Sequence, residues 1–484
     1  MARQFQKYSH IRPAGALSIA LLLLGGCTVG PKYVRPAADA PSDYKETGNF
    51  KQAQPSDAIA KGKWWEIYGD PQLSSLEEQV NVSNETLKAA QQQFLQSRAA
   101  LRIARAGYYP TISVGALAAG NRQSQNRALY GAGSPITYAD YQLPVDAAYE
   151  PDVWGRVHRT VEAARSEVQA SSADLANVQL SLQAELALDY FQLRGLDSQK
   201  QLLDSTVASY EKALQLTQSR YSGGIASAVD VAQAQTQLET TRAQDVDVGV
   251  QRAAFEHAIA VLVGKPPAEF SEPAAPLTTP PPAIPPGLPS ELLERRPDIA
   301  AAERRIQEAN AQIGLARAAY FPVLSLTGSG GFESQAIHSL LNGPSGFWSL
   351  AGSAAELAFE GGQRRGASEQ ARAAYNRAVD TYRQVTLDAF QEVEDNLAAL
   401  HILENEAKTQ DGAVAAAEHS LDLSNSRYRG GVASYLEVTT AQSAALGDEV
   451  TAVDILTRRD VASVLLIKAL GGGWNTSQIL NASR

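Results

Sequence analysis

The chain contains the same segment twice, 207 residues apart. Arg220–Gln235 reads RYSGGIASAVDVAQAQ and Arg427–Gln442 reads RYRGGVASYLEVTTAQ. Glycines outside these segments keep the same spacing, as in Gly155 and Gly362. A repeat of about two hundred residues is far longer than the 20–50 residues of a solenoid unit. The sequence therefore predicts two copies of one supersecondary unit in a single symmetric body.

The N-terminus resembles a bacterial lipoprotein signal. A basic start precedes the apolar run Ala14–Leu24, which is too short to serve comfortably as a membrane-spanning helix. The run ends at Leu24-Gly25-Gly26-Cys27, a cleavage site that resembles a lipobox and precedes the only cysteine of the chain. We expect residues 1–26 to be a signal peptide and Cys27 to carry lipid such as palmitate. The alternatives are an ordinary signal peptide and a stray buried thiol.

Charge and composition exclude several classes of function. The chain has 42 Lys and Arg against 52 Asp and Glu, and removal of residues 1–26 leaves 39 basic residues and a net charge of −13. This acidic balance argues against nucleic acid as a partner. The six histidines show no metal-ligand spacing, and Pro266 replaces the end of a phosphate loop after Gly264-Lys265. The sequence therefore predicts no enzyme activity, no metal and no cofactor.

Two proline-free blocks predict two long helical hairpins, at 156–263 and 367–470. Apolar residues recur every three or four positions in both blocks, as on one face of a helix. Each long helix is predicted to end at a double glycine. Each return helix is predicted to begin with a capping box, Ser227-x-x-Asp230 in the first copy and Ser434-x-x-Glu437 in the second.

Four segments of alternating apolar residues predict strands. They form the pairs 111–120/141–150 and 323–332/347–359. Roughly ten residues is the length that a tilted membrane strand requires, although such alternation also fits a soluble four-stranded sheet. No segment after the signal peptide has an apolar run of spanning length, so any membrane insertion would use strands. Four strands cannot close a barrel, so strands in a membrane would require several chains to share one.

These elements divide the chain into consecutive regions. Eleven of the 23 prolines fall between Pro266 and Pro297, which predicts a stiff connector. The predicted regions are the signal peptide 1–26, a lipidated extended leader 27–65, repeat 1 at 66–265, a proline-rich linker 266–297, repeat 2 at 298–472 and a tail 473–484.

Several motifs resemble those of TolC-like outer membrane factors of the OprM/NodT lipoprotein branch. Leu24–Pro36 (LGGCTVGPKYVRP) is similar to the N-terminus of that family, and Glu294–Ile299 (ERRPDI) is similar to its inter-repeat signature. Gly314–Pro322 (GLARAAYFP) and the two glycine-glycine segments complete the resemblance. It covers nearly the whole chain.

The resemblance implies an α+β, mostly helical fold. In this fold a homotrimer, with four strands from each chain, forms a 12-stranded outer-membrane β-barrel, a long periplasmic α-helical barrel and an equatorial belt. The implied function is the outer-membrane channel of a tripartite RND efflux pump, a passive export duct for drugs or other small molecules that contributes to antibiotic resistance. The implied partners are a periplasmic membrane-fusion adaptor, an inner-membrane pump and outer-membrane lipid. A type I protein-secretion channel and a structural lipoprotein of the periplasm remain alternatives.

The resemblance also assigns roles to the two hairpin tips. Residues near the second tip narrow the entrance in the family, but Thr440 and Ser443 replace its common aspartate and arginine. The implied adaptor-docking residues are Tyr221, Gly223, Gly224, Tyr428, Gly430 and Gly431. The implied periplasmic gate consists of Arg429, Leu436, Glu437 and Asp230. Without such roles, the glycines are helix C-caps and the two carboxylates are capping-box residues; we expect some of the glycines to have positive φ.

Overall fold

The computed structural model describes residues 28–37, 40–46, 63–126, 135–277, 280–284 and 291–474. The predicted signal peptide, Cys27 and parts of the leader, the linker and the tail lie outside the described residues. The main elements follow one another as α1 (Pro71–Ser83), α2 (Glu85–Ala106), β1 (Thr111–Val114), β2 (Leu117–Arg122), β3 (Thr137–Tyr149), α3 (Arg156–Ser222), α4 (Ala228–Leu262), α5 (Leu292–Arg295), α6 (Pro297–Ala318), β4 (Val323–Ser334), β5 (Gly346–Ala355), α7 (Gln363–Arg429) and α8 (Tyr435–Ala469).

The chain forms two compact units, and both repeats contribute to each of them. In the described part of the chain, the strand unit comprises residues 28–36, 95–126, 135–168 and 303–380. The helix unit comprises Ala37–Phe94, Gln169–Ala302 and Thr381–Arg484. Each unit is described by itself below.

The duplication is visible in the lengths of the four long helices. The helices α3 and α7 each have 67 residues, and α4 and α8 each have 35. All four boundaries of the first hairpin recur 207 positions later in the second. No helix in the described ranges is both long and apolar enough to cross a membrane. The predicted hairpins are therefore present in both copies with matched lengths.

The strand unit holds one antiparallel sheet that joins the two copies. The strand order is β1/β2, β3, β4, β5. The pairing of strands within each copy agrees with the sequence prediction. The pairing of β3 with β4, from Tyr141 opposite Ser334 to Tyr149 opposite Leu326, was not predicted. This pairing joins the two predicted strand pairs into a single sheet.

The first predicted strand, 111–120, is interrupted. β1 and β2 pair with β3 in the same register, but residues 115 and 116 between them leave the ladder. Pro144 lies opposite this interruption and has no N–H to donate, while its carbonyl still accepts from the Gly115 N–H at 3.0 Å. The fourth strand also differs from the prediction, because β5 ends at Ala355 rather than at residue 359.

Large apolar side chains are exposed on strands at both edges of this sheet. Ile112 and Val114 on β1, and Trp348 and Leu350 on β5, are each at least 70% exposed. Residues two positions apart lie on the same face of a strand, so each pair forms a continuous apolar surface. Surfaces of this kind mark contact with another protein or with lipid.

The leader packs along the strand unit. The Val29 N–H donates to the Trp154 carbonyl at 3.2 Å, and the Arg159 Nε donates to the Val29 carbonyl at 3.1 Å. Gly30 approaches Gly314 so closely that a Cβ on Gly30 would lie 2.6 Å from the Gly314 Cα. Residues 28–31 are therefore fixed beside the start of α3.

The linker is held in the helix unit by buried charges. Arg194 on α3 pairs with Glu272 of the linker and with Asp197, and it donates to the Pro273 carbonyl at 2.6 Å. Arg252 on α4 donates to Asp197 at 2.7 Å and to the Glu272 carbonyl at 2.6 Å. Because proline has no N–H, a proline-rich segment cannot form the backbone hydrogen bonds of a strand or helix. Arginine side chains donate to its carbonyls instead.

Glu77 on α1 is a buried carboxyl without a partner among the described residues. Its side chain is fully buried, and neither oxygen has a hydrogen-bond partner within the described part of the chain. Burial raises the pKa of Glu77 well above its ordinary value, because the low-dielectric interior disfavours the charged form. The folded state therefore holds a proton that the unfolded chain releases near pH 4.

Replacing Glu77 by methionine is expected to stabilise the protein at neutral pH by about 1–3 kcal/mol, the usual cost of a buried polar group without a partner. The contribution of Glu77 is most favourable below its unfolded pKa and is lost as pH rises towards its folded pKa, so the variant should also lose stability less steeply with pH. Thermal unfolding at pH 5 and pH 8 measures both effects. Glu78→Met is the control, since Glu78 is exposed and pairs with Lys63. A variant less stable than the wild type at pH 8 would contradict the assignment.

Candidate functional site at the helical tips

Both hairpin tips turn by the same helix-ending motif. At the first tip the Ile225 N–H donates to the Arg220 carbonyl at 2.8 Å, and at the second the Val432 N–H donates to the Arg427 carbonyl at 3.1 Å. These bonds close the last helical turn across a residue in the left-handed region. That residue is the second glycine of each pair, Gly224 with φ +76° and Gly431 with φ +75°. The expectation of positive φ is confirmed for these two glycines.

The two return helices begin differently. In the first copy the predicted capping box is present, since the Asp230 N–H donates to Ser227 Oγ at 3.2 Å and the Ser227 N–H donates to Asp230 Oδ2 at 2.9 Å. The predicted box at Ser434 and Glu437 is wrong, because the Ser434 side chain makes no capping bond. The Glu437 carboxylate instead lies 3.6 Å from Arg427 Nη2, a charged partner that competes with the cap.

Arg220 connects the two tips of one chain. Its Nη1 donates to the Arg429 carbonyl at 3.2 Å, and its guanidinium lies 4.8 Å from the centre of the Tyr428 ring. A cation is favourable at the carbonyl end of a helix and over an aromatic face. Arg220 is the repeat equivalent of Arg427 but has a different partner. Sequence reasoning missed this role, although an arginine opens both copies of the repeated motif.

Tyr428 lies inside the tip rather than on its surface. Its ring packs edge-on against Tyr435 with centroids 5.1 Å apart, in a buried cluster with Ala234 and Val438. Burial raises the pKa of Tyr435 to about 12. Tyr428 therefore supports the shape of the tips, while Tyr221 is the exposed tyrosine of the predicted docking set.

Five large apolar side chains are exposed at the tips, and we call them the tip patch. Ile225 and Val432 are each 71% exposed and directly follow the double glycine in their copies. Sequence analysis did not predict a role for Ile225 and Val432. An apolar residue at the same position in both copies of the repeat could have indicated one. An exposed apolar cluster rimmed by polar residues is typical of a protein-binding surface. The tip patch consists of Tyr221, Ile225, Val229, Val432 and Leu436.

Thr440 and Ser443, which replace the common aspartate and arginine of the family, form hydrogen bonds within α8 and with α4. Thr440 Oγ1 donates to the Leu436 carbonyl at 2.8 Å within α8, and Ser443 Oγ donates to Gln237 on α4 at 3.3 Å. Among the described residues, no group of three or more His, Cys, Asp or Glu could hold a metal ion.

Two equal helical hairpins, each preceded in the chain by strands of one shared sheet, define a duplicated α+β architecture. The sequence pattern of the outer membrane efflux protein family matches residues 76–265 and 288–472, one match for each copy. The chain belongs to this family and is an outer-membrane efflux protein.

Named relatives and solved structures agree with this assignment. Outer membrane protein OprJ of Pseudomonas aeruginosa is 34% identical over 479 residues, covering 98% of this chain and 99% of that protein. The solvent efflux pump outer membrane protein SrpC of Pseudomonas putida is 33% identical over 464 residues, covering 95% and 98%. The structure of the outer-membrane channel OprN superposes with a TM-score of 0.86 at 28% identity, covering 93% of this chain and 100% of that one. The mostly helical, duplicated α+β fold is thus confirmed.

Proposed function

We propose that this chain is the outer-membrane channel of a tripartite efflux pump, a passive duct for drugs or other small molecules. The observation that carries the proposal is the pair of tips, which are tied together by Arg220 and present apolar side chains to a partner. The name of SrpC, a solvent efflux pump protein at 33% identity, supports small molecules rather than polypeptides as cargo.

The channel is a homotrimer that shares one 12-stranded barrel. Each chain supplies one sheet whose outer strands, β1/β2 and β5, pair on one side only among the described strands. Unpaired strand edges are not tolerated in lipid, so three sheets joined edge to edge satisfy them. The apolar side chains exposed on β1 and β5, such as Val114 and Trp348, then face lipid.

Cys27 anchors the chain to the membrane through an attached lipid. Val29, two residues later, is hydrogen-bonded to Trp154 in the short connection between β3 and α3. This contact supports an anchor near the end of the strands. One acyl chain alone binds a membrane weakly, so the anchor assists the barrel rather than replacing it.

A periplasmic adaptor docks on the tips, and the same region closes the duct at rest. The tip patch and the backbone turns at Gly223-Gly224 and Gly430-Gly431 form the docking surface. The gate consists of Leu436, which is 57% exposed, together with Arg429, Glu437 and Asp230. Three chains repeat each of these residues around one axis. Leu436 blocks the opening there, and Arg429 ties one tip to its neighbour against the mutual repulsion of the carboxylates.

Conductance of the purified protein in a planar lipid bilayer tests the proposal. A trimeric channel should give discrete current steps and migrate as a trimer in detergent. A structural lipoprotein would give no current steps, and that outcome would refute the channel. Export of a fluorescent dye but not of a secreted polypeptide, measured with a cognate adaptor and pump, separates efflux from type I secretion.

Removing the gate contacts is expected to raise resting conductance several-fold. The variant Leu436→Ala with Arg429→Ala shortens both exposed side chains while keeping the carbonyl of residue 429 that Arg220 binds. A closed state held by a few contacts needs only a few kcal/mol to open. The measurement is bilayer conductance, with uptake of vancomycin by cells as a second readout. Leu423→Ala is the control, because Leu423 is also exposed on α7 but lies before the tip and outside the proposed gate. Wild-type conductance in the double variant would place the constriction elsewhere.

A further inference from the structure

An open cavity of about 190 Å³ lies in the helix unit, away from the tips. Its walls come from the turn before α1, from α3, from the linker and from α8. Tyr68, Tyr190 and Phe191 supply aromatic rings, and Pro276, Pro280 and Pro282 supply apolar linker surface. The volume suits a small ligand rather than a drug-sized one.

Asp460 lines this cavity, and one of its carboxylate oxygens has no partner in the described part of the chain. The residue is 2% exposed, and its Oδ2 has no hydrogen-bond partner among the described residues. The nearby hydroxyls are already engaged, because Ser463 Oγ donates to the Asp460 carbonyl at 2.6 Å and lies 2.6 Å from Tyr68 OH. The Ser463 hydroxyl thus donates its hydrogen to the backbone carbonyl, and the Tyr68 hydroxyl donates to Ser463 Oγ. Neither hydrogen is left for the carboxylate.

The other charged groups in the walls are balanced. Arg194 pairs with Asp197 and Glu272, and its guanidinium stacks on Tyr190 at 4.6 Å. Asp70 accepts from Tyr190 OH at 2.6 Å and caps α1 through its other oxygen. Among the described residues of the walls, Asp460 is the charged group left without a counter-charge in contact. Burial raises the pKa of Asp460 to about 7, while the neighbouring Arg459 lowers it.

A carboxylate at the end of an aromatic and proline-lined cavity is suited to an organic cation. Aromatic faces attract ammonium groups within about 6 Å, and the carboxylate supplies the charged partner. A buried carboxylate without a partner is costly, and a bound cation removes that cost. A hard metal ion such as Ca²⁺ would need six to eight oxygen ligands, and among the described residues no group of three or more His, Cys, Asp or Glu could hold a metal ion.

We propose that this cavity binds a small organic ammonium ion, with Asp460 as its counter-ion and Tyr68, Tyr190 and Phe191 as the walls that hold its hydrocarbon part. The site is distinct from the tips and does not depend on docking or gating. Binding of the ammonium ion favours the ionised form of Asp460 and so releases a proton. The affinity should therefore be higher at pH 8 than at pH 6. Arg459 and Tyr68 interact electrostatically with this carboxyl, and Asp70, Tyr190 and Arg194 are the other titratable groups that line the cavity.

The test uses calorimetric titration of the full protein in detergent with benzylamine, and with benzyl alcohol as an uncharged probe of the same shape. Benzylamine should bind at least tenfold more tightly than benzyl alcohol. Asp460→Asn keeps the shape of the side chain and should weaken benzylamine binding at least tenfold. Asp454→Asn is the matched control on α8, because Asp454 is 63% exposed and lies outside the cavity. It should bind like the wild type.

Three outcomes would overturn the proposal. Equal binding of the amine and the alcohol would leave no role for charge. Unchanged binding by Asp460→Asn, in a variant that still forms the wild-type oligomer, would place the amine elsewhere. Binding of Ca²⁺ that excludes benzylamine would assign the site to a metal ion. A several-fold loss in Phe191→Leu at unchanged thermal stability would support the aromatic wall.

Discussion

Gly195→Ala is expected to destabilise the helix unit by about 1–3 kcal/mol, as overpacking of a tight helix contact does. Gly195 lies within α3, where a Cβ would be 2.3 Å from Thr457 Oγ1 and 3.1 Å from Thr457 Cβ on α8. Thr457 cannot easily turn away, because its hydroxyl donates to the Val453 carbonyl at 2.9 Å. The two helices must therefore separate. The measurement is the thermal midpoint of the protein in detergent.

Two further variants show whether the close approach is the cause. Gly412→Ala adds the same methyl group to α7 where no atom of the described residues lies within 4 Å, and it should stabilise the protein by about 0.5–1 kcal/mol because alanine favours the helix. Thr457→Ala in the Gly195→Ala background removes the clashing atoms and should restore most of the midpoint. Gly195→Ala with wild-type stability would show that the helices are not in this contact.

Ile225→Glu with Val432→Glu is expected to abolish efflux-dependent drug resistance while leaving the channel folded. Both side chains are exposed, so the change should cost little stability in the free protein. At a docked interface it would bury two carboxylates in place of apolar groups and weaken adaptor binding tenfold or more. The measurement is the minimum inhibitory drug concentration of cells in which this chain is the only outer-membrane efflux channel.

The repeat itself provides the control for this change. Ile225→Val with Val432→Ile exchanges the residues of the two copies and keeps both surfaces apolar, so resistance should be retained. Full resistance in the glutamate variant, at normal amounts in the outer membrane, would show that the adaptor does not use these side chains.

The hairpins and tips were predictable because their signals are local. The absence of proline, the apolar spacing and the double glycines lie within each copy, and they agree with the bounds of α3, α4, α7 and α8. The capping box at Ser227 follows from four adjacent residues. The absence of the equivalent box at Ser434 could not be predicted in this way, because it depends on the contact between Glu437 and Arg427 across the turn.

Features that join distant segments were not predictable. The contact of Arg220 with the Arg429 carbonyl spans 209 residues, and the pairing of β3 with β4 joins the two copies. The break between β1 and β2 depends on Pro144 in a neighbouring strand. The cavity at Asp460 needs four separate segments to meet. Single-sequence patterns describe one element at a time and carry no information on which elements meet.

The equal lengths of the paired helices limit how a gene of this kind can change. Inserting seven residues into α3 alone would lengthen it by about 10 Å, while α7 would keep its 67 residues. The first tip would then be displaced along the helix axis relative to the second, and Arg220 would lose its hydrogen bond to the Arg429 carbonyl. Insertions and deletions along these helices should therefore survive only as matched sets, in all four long helices at once. We therefore expect the four helix lengths to change together as a single trait.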